Sequence, residues 1–296
     1  MTKTMAGKLP IVVPTLLNSG SPNQSVRTVL LDTSVQIERF KAARKSKPVE
    51  AALRDFRFKA TSSYARFEFN RAWLRRLACV YEISKNAKSV HELFGLIDDK
   101  YGKHPALMRW LTTCTQAAEA WLDKVPCPPG VGQDVMRARA HLRRWIFGAH
   151  EMWRQSITHE FNGTGCIRAN AQPRKAPDGT LDVLGRVCSK KRPSCHIVAF
   201  FVANRGEFIT IAQAIKNEGA EASDDLKAAL DIIAAAEKDP TYLCSSSVCQ
   251  KLGDILIAID GLRMETYAAH NPREWPLIAK ALGKQLLDPV SATPSS

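Results

Sequence analysis

The sequence predicts an α/β fold with a central parallel sheet, interrupted by a large and mainly helical insertion. The first observation is that strand-like and helix-like segments alternate between residues 28 and 83. The second is that only helical periodicity follows, from about residue 89 to residue 157. The third is a closing α/β unit after residue 249. Alternating strands and helices indicate a parallel sheet, because helical crossovers join its neighbouring strands.

The opening α/β unit begins with a short apolar run that ends at Asp32 and is typical of a buried strand. Thr33 and Ser34 after it are suitable caps for a helix. Glu68 lies in the second turn of a long helix that follows a Thr-Ser-Ser start signal. The predicted strands are 28–31, 56–60 and 264–268, and the main predicted helices are 49–55, 64–83, 197–217, 223–238, 253–259 and 274–282.

Changes in composition divide the chain into five parts. The two ends are rich in Pro and Ser, which indicates a flexible arm and tail. Between the arm and the tail, we predict one α/β domain that the helical insertion divides into two halves. The parts are an N-terminal arm at 1–26, the first half at 27–85, the helical insertion at 86–240, the second half at 241–287 and a tail at 288–296.

Basic residues outnumber acidic ones by 42 to 29, and the resulting formal net charge of +13 favours a nucleic-acid partner. They form three groups along the chain. Although a charged run is usually a solvated face, these groups would suit a surface that follows a phosphate backbone. The residues predicted to contact nucleic acid are Arg71, Arg75, Arg143, Arg144, Lys190 and Lys191.

No apolar run is long enough for a membrane span, and the N-terminal segment does not resemble a signal peptide. We therefore expect no membrane partner and a cytoplasmic location, where cysteines are thiols or metal ligands rather than disulfides. Two cysteine pairs could together form a structural Zn²⁺ site, the alternative being four ordinary thiols. They are Cys188 with Cys195, and Cys244 with Cys249.

Three acids are candidates for a shared metal site. Asp32 follows a predicted strand, whereas Glu68 and Asp254 lie near the starts of predicted helices. In parallel sheets both positions face the edge at which strands end, so the three side chains could converge. Such carboxylates repel one another unless a cation neutralises them, and Mg²⁺ and Mn²⁺ prefer oxygen ligands. Taken singly, each acid could instead be a helix cap, a surface charge or a helix-start residue.

The sequence segments around these acids resemble the four conserved sequence blocks of PIN-domain nucleases, and they occur in the same order along the chain. The first two blocks carry Asp32 and Glu68, the third carries Asp254, and the last contains an Asn, two residues, an acid and an aromatic. The matching segments are VLLDTSV at 29–35, TSSYARFEF at 61–69, LGDILIA at 252–258 and NPREW at 271–275. They cover about 60 residues at the two ends of the chain.

The resemblance implies a PIN-like three-layer fold and a metal-dependent endonuclease, often one that acts on RNA. Asp32, Glu68 and Asp254 would be ligands of Mg²⁺ or Mn²⁺, and Ser34 would place a hydroxyl near the metal. At the fourth position the chain departs from the family pattern, because Asn271 stands where an Asp is common. Glu274 could supply the missing acid. The insertion is also much longer than in the compact toxin nucleases of the family.

We expect a metal-dependent endoribonuclease that hydrolyses phosphodiester bonds, with Asp32, Glu68, Asp254, Asn271 and Ser34 in its active site. Two alternatives stay open. The chain could be a PIN-like nucleic-acid-binding module with a weakened active site, or a scaffold whose helical insertion binds a protein partner. PIN-type nucleases often pair, so a homodimer also stays open.

Overall fold

The computed structural model describes residues 26–40, 43–102, 133–185 and 195–290. Its main sheet has five strands, all parallel, in the order β3-β2-β1-β6-β7. This confirms an α/β fold built on a parallel sheet. The strands are β1 at Thr28–Leu31, β2 at Phe58–Ser62, β3 at His159–Phe161, β6 at Thr266–Ala268 and β7 at Gln285–Leu287, and a separate antiparallel pair is formed by β4 at Arg174–Lys175 and β5 at Leu181–Asp182.

β1 lies at the centre of the sheet and is buried on both faces. Val29, Leu30 and Leu31 have no exposed surface. Because successive side chains of a strand point to opposite faces, Leu30 packs into the larger hydrophobic core, and its two neighbours pack into a smaller one with Val35 and Val49. The sheet is therefore covered on both sides, as parallel sheets usually are.

Helices account for most of the remaining described chain. The helix predicted at 64–83 is present from residue 63 to residue 84, but a π turn at Asn70–Leu74 interrupts its α-helical hydrogen bonding. The helix predicted at 197–217 is broken at Asn204. The helices are α1 at Thr33–Phe40, α2 at Ala43–Ala52, α3 at Ser63–Phe69, α4 at Arg75–Ser84, α5 at Val90–Tyr101, α6 at Gln133–Gln155, α7 at Ile197–Ala203, α8 at Arg205–Glu218, α9 at Asp224–Lys238, α10 at Ser246–Gln250, α11 at Gly253–Asp260 and α12 at Trp275–Ala281.

The region predicted as a helical insertion also contributes to the sheet, because β3 lies within it and pairs in parallel with β2. Its described helices share the larger core with the rest of the fold. Trp153 of α6 and Phe208 of α8 belong to the same buried cluster as Leu30 of β1 and Leu256 of α11. The described part of the insertion is thus packed against the sheet domain without a separate core of its own.

Sequence patterns did not predict the two edge strands, β3 and β7. Each has only three residues, and the burial of β3 never reaches that of the central strands. The equally short β6 is buried at all three residues, whereas three residues of mixed exposure do not form a pattern that distinguishes a strand from a loop. None of the helices in the described ranges combines the length and the apolar composition needed to cross a bilayer.

Candidate metal centre

Asp32, Glu68 and Asp254 meet at the edge of the sheet where β1 and β2 end. One carboxylate oxygen from each lies within 4.8 Å of the others. Asp32 directly follows β1, Glu68 is the sixth residue of α3, and Asp254 is the second residue of α11. Within the described ranges, no other group of three or more His, Cys, Asp or Glu side chains has this metal-ligand proximity.

Two kinds of contact hold Asp32 at this edge. Its backbone N–H donates to the carbonyl oxygen of Ala268 at 2.9 Å, which ties the end of β1 to β6. Its Oδ2 accepts hydrogen bonds from the backbone N–H of Ser34 at 3.1 Å and from the Ser34 hydroxyl at 2.6 Å. Its Oδ1 is buried and has no hydrogen-bond partner among the described residues. A buried carboxylate oxygen without a partner is costly, so this atom is a natural cation ligand.

Glu68 is held by a hydroxyl and accommodated by a glycine. The Thr33 hydroxyl donates to Glu68 Oε2 at 3.0 Å. On the other side, Glu68 Oε1 occupies the space that a Cβ atom at residue 253 would need, and Gly253 leaves this space open. The glycine before Asp254 therefore lets two of the three carboxylates approach each other.

Asn271 and Glu274 adjoin Asp254. The side-chain amide of Asn271 donates to Asp254 Oδ2 at 3.0 Å. The side-chain oxygen of Asn271, Oδ1, accepts from the backbone N–H of Arg273 at 3.2 Å. Burial raises the pKa of Asp254 most, the charges of Asp32 and Glu68 raise it further, and a side-chain hydrogen bond with Glu274 and the charge of Glu274 add to the same shift. Asn271 therefore orients the carboxylate of Asp254, and Glu274 adds a fourth acid beside it.

Ser34 connects Asp32 to the loop that carries Asn271. Its hydroxyl donates to Asp32 and accepts from the backbone N–H of His270 at 2.9 Å. The His270 ring lies 3.0 Å from Asp288. All five residues predicted for the active site therefore lie in one cluster. Its three carboxylates lie close together, and Ser34 and Asn271 are hydrogen-bonded to two of them.

Burial and mutual repulsion raise the pKa values of the clustered acids. Burial is the largest cause for each of the three. The pKa of Glu68 is raised to about 8 by burial and by the charge of Asp32, against the opposing effects of Thr33 and Arg71. The pKa of Asp254 is raised well above its ordinary value by burial and then by the charges of Asp32 and Glu68. Such acids favour a bound proton or a bound cation.

The residues fit a hard divalent cation. All three candidate ligands are carboxylates, which suit Mg²⁺ or Mn²⁺ rather than a soft metal. One of their oxygens, Asp32 Oδ1, is buried and lacks a protein partner. Gly253 leaves space for the carboxylate of Glu68, a second candidate ligand. Among these features, only the acids were predicted from the sequence.

A cavity of about 460 Å³ opens beside Glu68 and Asp254. Its walls come from the start of the π turn, from α9, from α10 with the residues after it, and from α12. Two basic residues, Arg71 and Lys251, line it together with Gln250. Lys251 was not singled out in the sequence, since an isolated lysine near a helix end carries no distinctive signal.

The other predicted nucleic-acid contacts are not gathered at this cavity. Arg75 is exposed but does not line it. Arg143 and Arg144 are exposed on α6, and the guanidinium of Arg143 lies 5.9 Å from the centre of the Phe147 ring. Lys190 and Lys191 lie outside the described residues.

The cysteine site stays a prediction. Cys188 lies outside the described residues. Cys195, Cys244 and Cys249 form no disulfide. In the described part of the chain, no group of three or more potential metal ligands includes a cysteine.

The comparisons with known proteins do not assign the chain. No family model, no curated protein and no solved structure matches it. The interpretation of the site therefore rests on its own geometry and chemistry.

Proposed function

We propose that this protein is a Mg²⁺- or Mn²⁺-dependent endonuclease that hydrolyses phosphodiester bonds, with RNA as the expected substrate. The observation that carries the proposal is the convergence of three carboxylates, whose oxygens lie within 4.8 Å of one another, beside an open cavity with basic residues. The net charge of +13 suits a polyanionic substrate. The resemblance of the surrounding segments to PIN-domain nucleases points to the same chemistry.

Asp32, Glu68 and Asp254 would hold the cation. When bound, it would supply a water of lowered pKa and stabilise negative charge on the phosphate. The surrounding residues keep the ligands in place: Ser34 fixes one oxygen of Asp32, and Asn271 fixes one oxygen of Asp254. These contacts fix one oxygen of each of the two carboxylates, so Asp32 and Asp254 need little rearrangement to act together.

Glu274 would supply the acid that is missing at Asn271, where PIN-domain nucleases commonly have an Asp. Its carboxylate is near Asp254, and it lines the same cavity. Asn271 has no charge, so it would orient Asp254 while Glu274 contributes the fourth acid. Glu274 is thus proposed as a positioning or ligand residue of the same site.

The test is cleavage of single-stranded RNA and DNA by the purified full chain with Mg²⁺ or Mn²⁺. We expect cleavage that EDTA abolishes and that added Mn²⁺ restores. Asp32→Asn keeps the size of the side chain but removes a charged ligand. It should lower cleavage at least about 100-fold, which corresponds to about 2.7 kcal/mol of transition-state free energy.

The matched control is Asp55→Asn, because Asp55 is exposed and outside the cluster. This variant should cleave at the wild-type rate. Equal activity of the Asp32→Asn protein, with its fold intact by circular dichroism, would contradict the proposal. Binding of nucleic acid without cleavage under any metal would favour the binding-module alternative instead.

A further inference from the structure

The cavity beside the carboxylates has walls of opposite charge. Glu68, Asp254 and Glu274 lie on the side of the metal centre. Arg71 and Lys251 stand nearer the π turn and the end of α10. Asp225 of α9 is the one further acid in the lining. Once a divalent metal ion neutralises the clustered carboxylates, the positive charges of Arg71 and Lys251 can attract an anion into the cavity.

Arg71 is the second residue of the π turn and lies three residues beyond Glu68 in the chain. Its guanidinium donates a hydrogen bond to the side-chain oxygen of Gln250. Its charge also lowers the pKa of Glu68 against the effect of burial. Arg71 therefore lies between the carboxylate cluster and the cavity. Its hydrogen bond to Gln250 leaves further N–H donors of the guanidinium available to a ligand.

Lys251 follows Gln250 in the chain and lines the same cavity. It is exposed and lies three residues before Asp254. Across the residues that the structure describes, its ammonium group has no hydrogen-bond or ion-pair partner. An unpaired cation that lines a cavity is available to a ligand.

We propose that Arg71 and Lys251 bind a phosphate group of the nucleic-acid substrate in this cavity and thereby position the neighbouring phosphodiester at the carboxylate cluster. This inference rests on the proposed function. Arg presents a planar fork of donors that suits phosphate oxygens, and Lys adds a point charge. A cavity of about 460 Å³ has the size of a small-ligand site and accommodates one nucleotide.

The experiment measures binding of a short fluorescein-labelled single-stranded RNA to the full chain by anisotropy over a range of salt concentrations. Ca²⁺ replaces Mg²⁺ and Mn²⁺ in the buffer, so that an oxygen-preferring cation neutralises the carboxylates. Lys251→Gln should weaken binding roughly threefold to tenfold. It should also reduce the slope of log K against log salt by about 0.7, the loss of one phosphate contact on a single strand. Arg71→Gln should act in the same direction, and Arg71→Lys should recover part of the loss.

Lys238→Gln is the matched control, because Lys238 is an exposed lysine at the far end of α9 that does not line the cavity. It removes the same charge from the whole molecule and should change the affinity less than twofold. If Lys251→Gln and Lys238→Gln bind equally, the inference is overturned. Lys251 is exposed, so loss of folding is not expected to obscure the result.

Two further measurements separate the possibilities. Comparing the affinities for RNA with a 5′-phosphate and RNA with a 5′-hydroxyl identifies the source of the phosphate. If the 5′-phosphate raises affinity and Lys251→Gln alone removes this gain, the site binds a terminal phosphate. If Lys251→Gln lowers the affinity for both RNAs equally, the site binds an internal phosphodiester.

In Mn²⁺, Lys251→Gln should raise KM while kcat changes little. If no preparation cleaves RNA but the binding difference persists, the phosphate site stands and the nuclease proposal fails. If cleavage occurs and KM is unchanged in Lys251→Gln, the phosphate site fails alone.

Discussion

Gly253 is important because of the side chain that it lacks. A Cβ atom at this position would overlap Glu68 Oε1 and come within 3.1 Å of Glu68 Cδ. Glu68 cannot yield freely, because the Thr33 hydroxyl binds its other oxygen. The residue beside Asp254 thus controls whether the second carboxylate reaches the cluster. The segment LGDILIA, which resembles the third block of PIN-domain nucleases, includes this glycine, but nothing in the sequence showed that it contacts Glu68.

Gly253→Ala should therefore weaken metal binding. We expect at least about a tenfold loss of Mn²⁺ affinity, which corresponds to about 1.4 kcal/mol, because Glu68 must leave its position. Titration calorimetry with Mn²⁺ measures this. Gly148→Ala on α6 is the control, since no atom lies within 4 Å of the added Cβ. It should retain Mn²⁺ binding and gain about 0.5–1 kcal/mol of stability from helix propensity. Unchanged affinity in Gly253→Ala would show that Glu68 is not a ligand.

Among the elements, the π turn at Asn70–Leu74 lies within a helix that the sequence pattern predicted to be continuous. Asn70 is buried in this turn. Its side-chain amide donates to the carbonyl oxygens of Arg168 and Ala169, and its Oδ1 lies 3.0 Å from His150 Nε2. The widened turn thereby connects α3, which carries Glu68, to α6 and to the chain after β3. π turns often occur at functional sites, and this one also carries Arg71.

The contact between α6 and the π turn should make stability depend on pH. Burial first, and then the charges of Arg66 and Arg154, lower the pKa of His150 from 6.5 to about 4, against a smaller opposing effect of Gln172. The unfolded chain therefore binds a proton between pH 6.5 and 4 that the folded chain excludes. The contribution of neutral His150 to stability is fully present above pH 6.5 and is lost as the pH falls towards 4.

Urea denaturation in EDTA at pH 7 and pH 4.5 tests this dependence. Wild type should lose more stability over this interval than His150→Gln, which has no titrating ring. His91→Gln is the control, because His91 is exposed on α5. It should lose as much stability as wild type. An identical loss in His150→Gln and wild type would mean that folding does not lower the pKa of His150.

At the scale of the whole molecule, the cluster of Asp32, Glu68 and Asp254 joins distant parts of the chain. Asp32 and Glu68 belong to the opening unit, and Asp254 belongs to the closing unit. The larger core likewise includes residues of the opening unit, of the predicted insertion and of the closing unit. A cation bound by all three acids would therefore stabilise the fold that brings these regions together, because the unfolded chain offers no such site.

Mn²⁺ should raise the melting temperature of the wild-type protein. At a free Mn²⁺ concentration about 100 times Kd, the stabilisation should be about 2.7 kcal/mol. Asp254→Asn should be more stable than wild type in EDTA, since it relieves repulsion among buried carboxylates, and should respond little to Mn²⁺. Differential scanning calorimetry with and without Mn²⁺ measures both effects. Asp55→Asn should behave as wild type, and an undiminished Mn²⁺ response in Asp254→Asn would exclude it as a ligand.

The sequence by itself determined the α/β class, the central strand β1, the long helix after β2 and the acids at the ends or starts of these elements. These features follow from local apolar periodicity and from capping residues, which act over a few neighbouring positions. Only the tertiary structure decided that Asp32, Glu68 and Asp254 converge, that Gly253 makes room for Glu68, and that Lys251 joins Arg71 at one cavity. Those relations depend on strand order and helix packing, and residues far apart in the chain leave no local pattern that records their distance.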